Sequence, residues 1–207
     1  MGLGGGTIPS FLRKHYPETV IDTVDIDPDV VDVAKKYFGF REDAMMHAYV
    51  EDGRQFIEEC NAPYDIIFLD AYGSEDIPYN MATKEFLQAV RRATAPKGVV
   101  ASNILWAADN RLHDDMVRTY QDVFDSVHIV TTKHGPNEIV LAMPANTPVV
   151  RASLARRASK LSKDQKLGFD IGSYIRSGFR EPAPKHHAAH ILLDKDKKPA
   201  IPTGASP

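Results

Sequence analysis

A chain of 207 residues, 43% apolar and 26% charged, holds enough material for one sizeable hydrophobic core and a small appendage. Its net charge of -3 excludes the strongly basic footprint of a nucleic-acid or anionic-membrane binder, so the expected partner is a small molecule, with no nucleic acid and no membrane. The single cysteine, Cys60, excludes an internal disulfide, no uncharged apolar run reaches the roughly 18 to 20 residues of a membrane helix, and the opening residues lack a secretory pattern, so a cytoplasmic location is expected.

Gly2-Leu3-Gly4-Gly5-Gly6-Thr7 opens the chain as a glycine turn. Such a turn lets the backbone swing from a strand end into a helix and come closer to a ligand than a Cβ would permit. Ile8 to His15 then reads as a helix and Val20 to Ile26 as a buried parallel strand. An acid about twenty residues after a glycine turn can accept hydrogen bonds from ribose hydroxyls. Asp25 has that spacing, so Gly2, Gly4, Gly6 and Asp25 are the predicted contacts of an adenosine-type cofactor. Pro28 marks the next helix start, Val30, Val31, Ala34 and Tyr37 follow at helical spacing, and Gly39 stops it.

His47 to Val50 is a short predicted strand, followed by Asp52-Gly53 and a helix through Glu59. Asp52 is placed to accept from an adenine amino group while Gly53 lets the base approach. Its alternative role, capping the following helix, occupies only one oxygen. Tyr64 to Leu69 is a strongly apolar strand ending in Asp70, a carboxylate suited to act as a base toward an amine or as the partner of a cation, with a turn-forming role as the alternative. The loop from Ala71 to Ala82 carries Tyr72, Glu75, Asp76 and Tyr79, acceptors and aromatic faces that suit a cationic substrate.

Thr83 to Ala93 is a predicted helix with Phe86, Leu87 and Val90 on one face, Gly98 to Ser102 the next strand, and Asp109 to Phe124 another helix. Val127 to Thr132 and Ile139 to Met143 are joined too closely for a parallel crossover, so they must be antiparallel neighbours. The alternation predicts an α/β, Rossmann-like, class I methyltransferase-type fold: a mostly parallel sheet with an antiparallel C-terminal hairpin and helices on both faces. Residues 1–150 would form this domain. Residues 151–207 would add a helical extension, basic on its solvated face and apolar through Leu154, Ala158 and Leu161, and a loosely ordered tail. His186, His187 and His190 fall in that tail as solvent-exposed residues, and no metal is expected.

Gly2-Leu3-Gly4-Gly5-Gly6-Thr7, Val24-Asp25-Ile26-Asp27, Glu51-Asp52-Gly53-Arg54, Tyr64-Asp65-Ile66-Ile67-Phe68-Leu69-Asp70 and Ala95-Pro96-Lys97-Gly98-Val99 together resemble the spermidine/spermine synthase family. The resemblance runs from Gly2 to about Met143, and extends to Leu192-Leu193-Asp194. It implies that decarboxylated S-adenosylmethionine is held by Asp25 at the ribose and Asp52 at the adenine. It further implies that Asp70 is the catalytic base toward a diamine such as putrescine, with aminopropyl transfer releasing methylthioadenosine.

Two family acids have no counterpart here: the one in the glycine turn matches Gly4, and the one three positions after Asp70 matches Gly73, leaving Glu75 or Asp76 to compensate. An acidic pocket suits the decarboxylated cofactor, and backbone donors suit the carboxylate of the intact one, so an S-adenosylmethionine-dependent methyltransferase is the alternative reading. A catalytically silent nucleoside-binding domain is a third. The family's first strand and small N-terminal β-rich domain are also without counterpart, which predicts unpaired strand edges, a truncated chain or a partner supplying the strand, and a homodimer.

Overall fold

The computed structural model describes residues 1–73, 77–106, 110–132, 135–180 and 189–196. Glu75, Asp76, His186 and His187 therefore lie outside the described residues.

Among the described residues, seven α-helices and seven strands follow one another: α1 (Thr7–His15), β1 (Ile21–Asp25), α2 (Pro28–Tyr37), β2 (Met46–Val50), α3 (Gly53–Glu58), β3 (Tyr64–Leu69), α4 (Lys84–Arg92), β4 (Thr94–Leu105), α5 (His113–Val123), β5 (Ser126–Thr131), β6 (Asn137–Met143), α6 (Arg151–Asp164), α7 (Ile171–Gly178) and β7 (Phe179–Arg180). The helix starts follow from local chemistry. The Asp27 side chain accepts from the Asp29 amide with Pro28 in the first turn of α2, and Thr83 caps α4 by accepting from the Phe86 amide.

β1 and β2 pair in parallel, with Asp25 opposite Val50. The other five strands form a sheet in the order β3-β4-β6-β5-β7. β3 and β4 are parallel, and β6 lies antiparallel between β4 and β5, so β3, β4 and β5 share one direction. This is the Rossmann-like arrangement of the class I methyltransferase type. The predicted hairpin partners do pair, but β6 inserts into the sheet interior. Its alternating Glu138, Val140 and Ala142 are buried, as the face of a strand turned to the interior. β4 is longer than the predicted Gly98 to Ser102, and the edge strand β7 was not predicted.

β1 and β3 belong to separate ladders. Met1 and Gly2 lie between their ends: the Met1 nitrogen donates to the Phe68 carbonyl at 2.8 Å, the Asp70 amide to the Met1 carbonyl at 3.0 Å, and the Gly2 amide to the Val24 carbonyl at 2.8 Å. Farther along, the Tyr64 hydroxyl donates to Asp22 at 2.8 Å.

The main core joins β3, β4, β5 and β6 to α4 and α5 through Phe86, Leu87, Val90, Val100, Ile104 and Val140. Each fully buried side chain of this kind contributes about 1.5–3 kcal/mol relative to exposure. A second cluster of Leu3, Ile21, Val31, Ala34, Phe40 and Met46 supports the glycine turn from below. α6 packs on α7 through Ala155, Ala158 and Ile175. Leu161, predicted to face inward, is exposed instead, because the contact runs along the small residues of α6.

The composition of the tail predicts loose order, yet residues 189–196 are held in place. Leu192 is buried in the main core, its amide donating to Thr119 at 3.0 Å and its carbonyl accepting from the Lys84 amide at 2.8 Å. One buried leucine and a following acid, set in a polar run, suffice to anchor the stretch.

Candidate active site

The glycine turn is fastened by Asp25. Its Oδ2 accepts from the Leu3 amide at 2.8 Å and its Oδ1 from the Asp27 amide at 3.1 Å, so the carboxylate ties the turn to the end of β1. The three glycines predicted to meet a cofactor have different surroundings. A Cβ on Gly2 would stand 2.3 Å from the Asp70 carbonyl oxygen, so the bare backbone lets the turn rest against the end of β3. Gly6 caps α1 in the left-handed region with φ 70°, against the ring of Phe40. Gly4 also has a positive φ, but open space surrounds its missing Cβ. Gly2 and Gly6 are thus fixed by packing, and of the three Gly4 alone faces open space.

Asp52 caps α3: its Oδ1 accepts from the Arg54 amide at 2.7 Å and from the Gln55 amide at 3.1 Å. Oδ2 takes no hydrogen bond from the described residues, so capping and ligand contact are compatible. Gly53 faces Met1 and Met81, with a built Cβ 3.2 Å from the Met1 sulfur. Arg54, which the sequence reading passed over, clamps several segments: it donates to both Asp194 oxygens at 2.7 and 2.6 Å, to Glu58 at 2.8 Å and to the Asn80 carbonyl at 3.0 Å. The hydrogen bonds to Asp194 hold the guanidinium pKa above its ordinary value and the Asp194 carboxyl below its own. Thr83 also donates to Asp194, at 2.7 Å.

Asp70 is half-buried at the end of β3. Its Oδ1 accepts from Asn103 Nδ2 at 2.8 Å, and Asn137 Nδ2 donates to Asn103 Oδ1 at 2.8 Å. Tyr72 donates its hydroxyl proton to the Asn103 carbonyl at 3.0 Å, which brings this predicted substrate residue beside Asp70. Tyr79 instead directs its hydroxyl at the Leu193 carbonyl, 3.3 Å away, and burial raises its pKa. Trp106 donates from its indole nitrogen to the Asn137 carbonyl at 3.0 Å. Asn103 and Asn137 were missed by the sequence reading. The available signal was an amide within the apolar run of β4 for Asn103, and at the first residue of β6 for Asn137.

Beside Asn137, the buried Glu138 accepts from Arg180 at 2.9 and 2.8 Å and from Thr131 at 3.0 Å, and lies 3.0 Å from His113 Nε2. Burial opposes the Glu138 charge, but these partners outweigh it and hold the pKa below the usual carboxylate value. Among the described residues, no group of three or more His, Cys, Asp or Glu side chains is arranged to hold a metal ion, and no helix is long and apolar enough to cross a membrane.

Sheet order, glycine turn and acids at three successive strand ends define a Rossmann-like domain of the class I methyltransferase type. Within that class the chain belongs to the spermine/spermidine synthase family: the family model for the spermine/spermidine synthase domain matches residues 2–138. A polyamine aminopropyltransferase of Vibrio vulnificus is 31% identical over 178 residues, covering 84% of this chain and 59% of the relative. An eEF1A lysine and N-terminal methyltransferase of Bos taurus is 32% identical over 151 residues, covering 68% of this chain and 22% of the relative. The chain thus spans less than two thirds of the length of either curated relative. Human methyltransferase-like protein 13, solved in complex with SAH, superposes with a TM-score of 0.67 at 25% identity, covering 90% of this chain and 84% of that one.

Proposed function

We propose that this chain is a spermidine-synthase-like aminopropyltransferase, moving an aminopropyl group from decarboxylated S-adenosylmethionine to a diamine such as putrescine. The observation that carries the reading is Asp70: one oxygen is held by Asn103, the other takes no hydrogen bond from the described residues, and the carboxylate sits where the glycine turn meets β3. The family match and the aminopropyltransferase relative support it.

The residues present fit a nucleoside. Asp25 spends one lone pair on each of two backbone amides and keeps others for ribose hydroxyls, Asp52 Oδ2 is open to an adenine amino group, and Gly4 leaves space. When bound, decarboxylated S-adenosylmethionine supplies a propyl carbon activated by its sulfonium. Asp70 Oδ2 takes a proton from the incoming ammonium, which frees the nitrogen lone pair. The C–N bond then forms as the C–S bond breaks, the electron pair staying on sulfur in methylthioadenosine. The chain's contribution is to orient the amine and hold the proton.

A second reading, methyl transfer from intact S-adenosylmethionine, is favoured by one specific observation. The turn offers no carboxylate at Gly4, and α1 begins without a side-chain cap, so backbone N–H groups are available to a carboxylate. The test is product analysis with both cofactors and putrescine. Methylthioadenosine from the decarboxylated cofactor, reduced about 10²–10⁴-fold in Asp70→Asn with nucleoside affinity retained, is expected. S-adenosylhomocysteine from the intact cofactor alone would move the assignment to methyl transfer, and release of neither product would refute both.

A further inference from the structure

We infer that Asn103 is a positioning residue for Asp70, with its amide locked in one orientation by Asn137. The inference rests on the reading of Asp70 as the proton acceptor, and deepens it. An asparagine amide presents an acceptor at one end and donors at the other. A carboxylate can only accept, so the Asn103 atom facing Asp70 across 2.8 Å is the nitrogen, and the Asn103 oxygen is left to accept from Asn137 Nδ2, also at 2.8 Å. The opposite polarity would set the Asn103 oxygen against a carboxylate oxygen. The relay therefore matches an ionised Asp70, the form able to take a proton.

Three further bonds hold the backbone that carries the relay: Tyr72 donates to the Asn103 backbone carbonyl at 3.0 Å, while the Asn137 backbone carbonyl receives the Trp106 indole at 3.0 Å and the Thr132 hydroxyl at 2.8 Å. β4 and β6 are paired here, with Asn103 opposite Ile139 and Leu105 opposite Asn137, so both amides ride on sheet backbone. With Oδ1 engaged by Asn103, Asp70 has one oxygen left for the amine. A catalytic carboxylate free to rotate would spend much of its time misaligned, and misplacement by about 1 Å costs about 100-fold in rate.

The test compares Asn103→Leu, which removes the donor, with Asn137→Asp, which replaces the locking donor by an acceptor of nearly the same shape and turns the Asn103 amide over. Both should lower kcat about 10- to 100-fold, leaving the KM of the nucleoside cofactor and the melting temperature of Asn137→Asp close to wild type. The second readout needs no turnover: in ¹⁵N-labelled protein, the Asn103 side-chain amide protons should move upfield in Asp70→Ala, as the charge-assisted bond is lost. Amide protons that stay in place in Asp70→Ala would overturn the relay whatever the activity. Amide protons that move, with wild type and Asp70→Asn equally active or equally silent, would locate the failure in Asp70 as proton acceptor, and the positioning role would fall with it. A drop in kcat with Asn103→Leu alone would reduce Asn103 to a packing residue.

Discussion

Gly6→Ala should destabilise the protein far more than Gly4→Ala, although both substitutions fall in the same turn. Both glycines have positive φ, 70° and 51°, and a left-handed conformation costs an L-residue about 1–2 kcal/mol. Only Gly6 adds a collision. Its new methyl would lie 2.9 Å from Phe40 Cδ2 and 3.0 Å from Phe40 Cβ, and Phe40 is 1% exposed, packed within the second core cluster. Overpacking of this kind adds about 1–3 kcal/mol, for a total of about 2–5 kcal/mol at Gly6 against about 1–2 at Gly4. With a urea m-value of about 2 kcal/mol/M, the two midpoints should differ by about 0.5–1.5 M. Coincident midpoints would refute the argument that Phe40, and not backbone conformation alone, dictates glycine at position 6.

Leu192→Ala should cost about 2–5 kcal/mol by thermal or urea unfolding, since its side chain is buried in the main core; a loss below 0.5 kcal/mol, taken as roughly the scale of surface substitutions, would show that residues 189–196 are not anchored there. Asp52→Ser should keep the α3 cap and the stability but weaken adenosine-nucleoside binding about 10-fold or more in calorimetry, because serine caps as well as aspartate and lacks the second oxygen. Unchanged affinity would leave Asp52 as a cap alone. Glu138 gives the pH dependence. Its folded-state pKa lies below the ordinary value, so its contribution is present above about pH 4.3 and is lost as pH falls through the folded-state value. Urea midpoints measured down this range should fall less steeply for Glu138→Gln than for wild type, and parallel curves would exclude Glu138 from acid unfolding.

The parts of the fold written in local chemistry were legible beforehand. Pro28 after Asp27, Gly39 after Tyr37, and the Phe86-Leu87-Val90 face of α4 each announce themselves within a few residues, as does Asp70 after an apolar run. The order of the sheet was less legible. The short link between β5 and β6 requires them to be neighbours, but says nothing of which one meets β4, since that pairing joins residues more than thirty positions apart in the chain. Asp25 was singled out by its spacing from the glycine turn and Asp70 by its place after an apolar run. The long-range partners were not legible, because the amide that meets Asp70 and the arginine that meets Asp194 come from 33 and 140 residues away, and no local pattern encodes such a contact. Composition misjudged residues 189–196 for the same reason: what holds them is a leucine finding a distant core.

Among the described residues, the strands around the candidate site fall into two ladders. Asp25 ends β1, Asp52 follows β2 as the cap of α3, and Asp70 follows β3 of the five-stranded sheet, with three backbone hydrogen bonds at Met1 and Gly2 linking the two ladders. A molecule gripped by Asp25 at one end and reaching Asp70 at the other would act as a splint across that seam. Part of its binding free energy would go into stilling the relative motion of the two halves, and amide hydrogen exchange should slow in β1 and β2 more than in β4 and β6, whose pairing is already continuous.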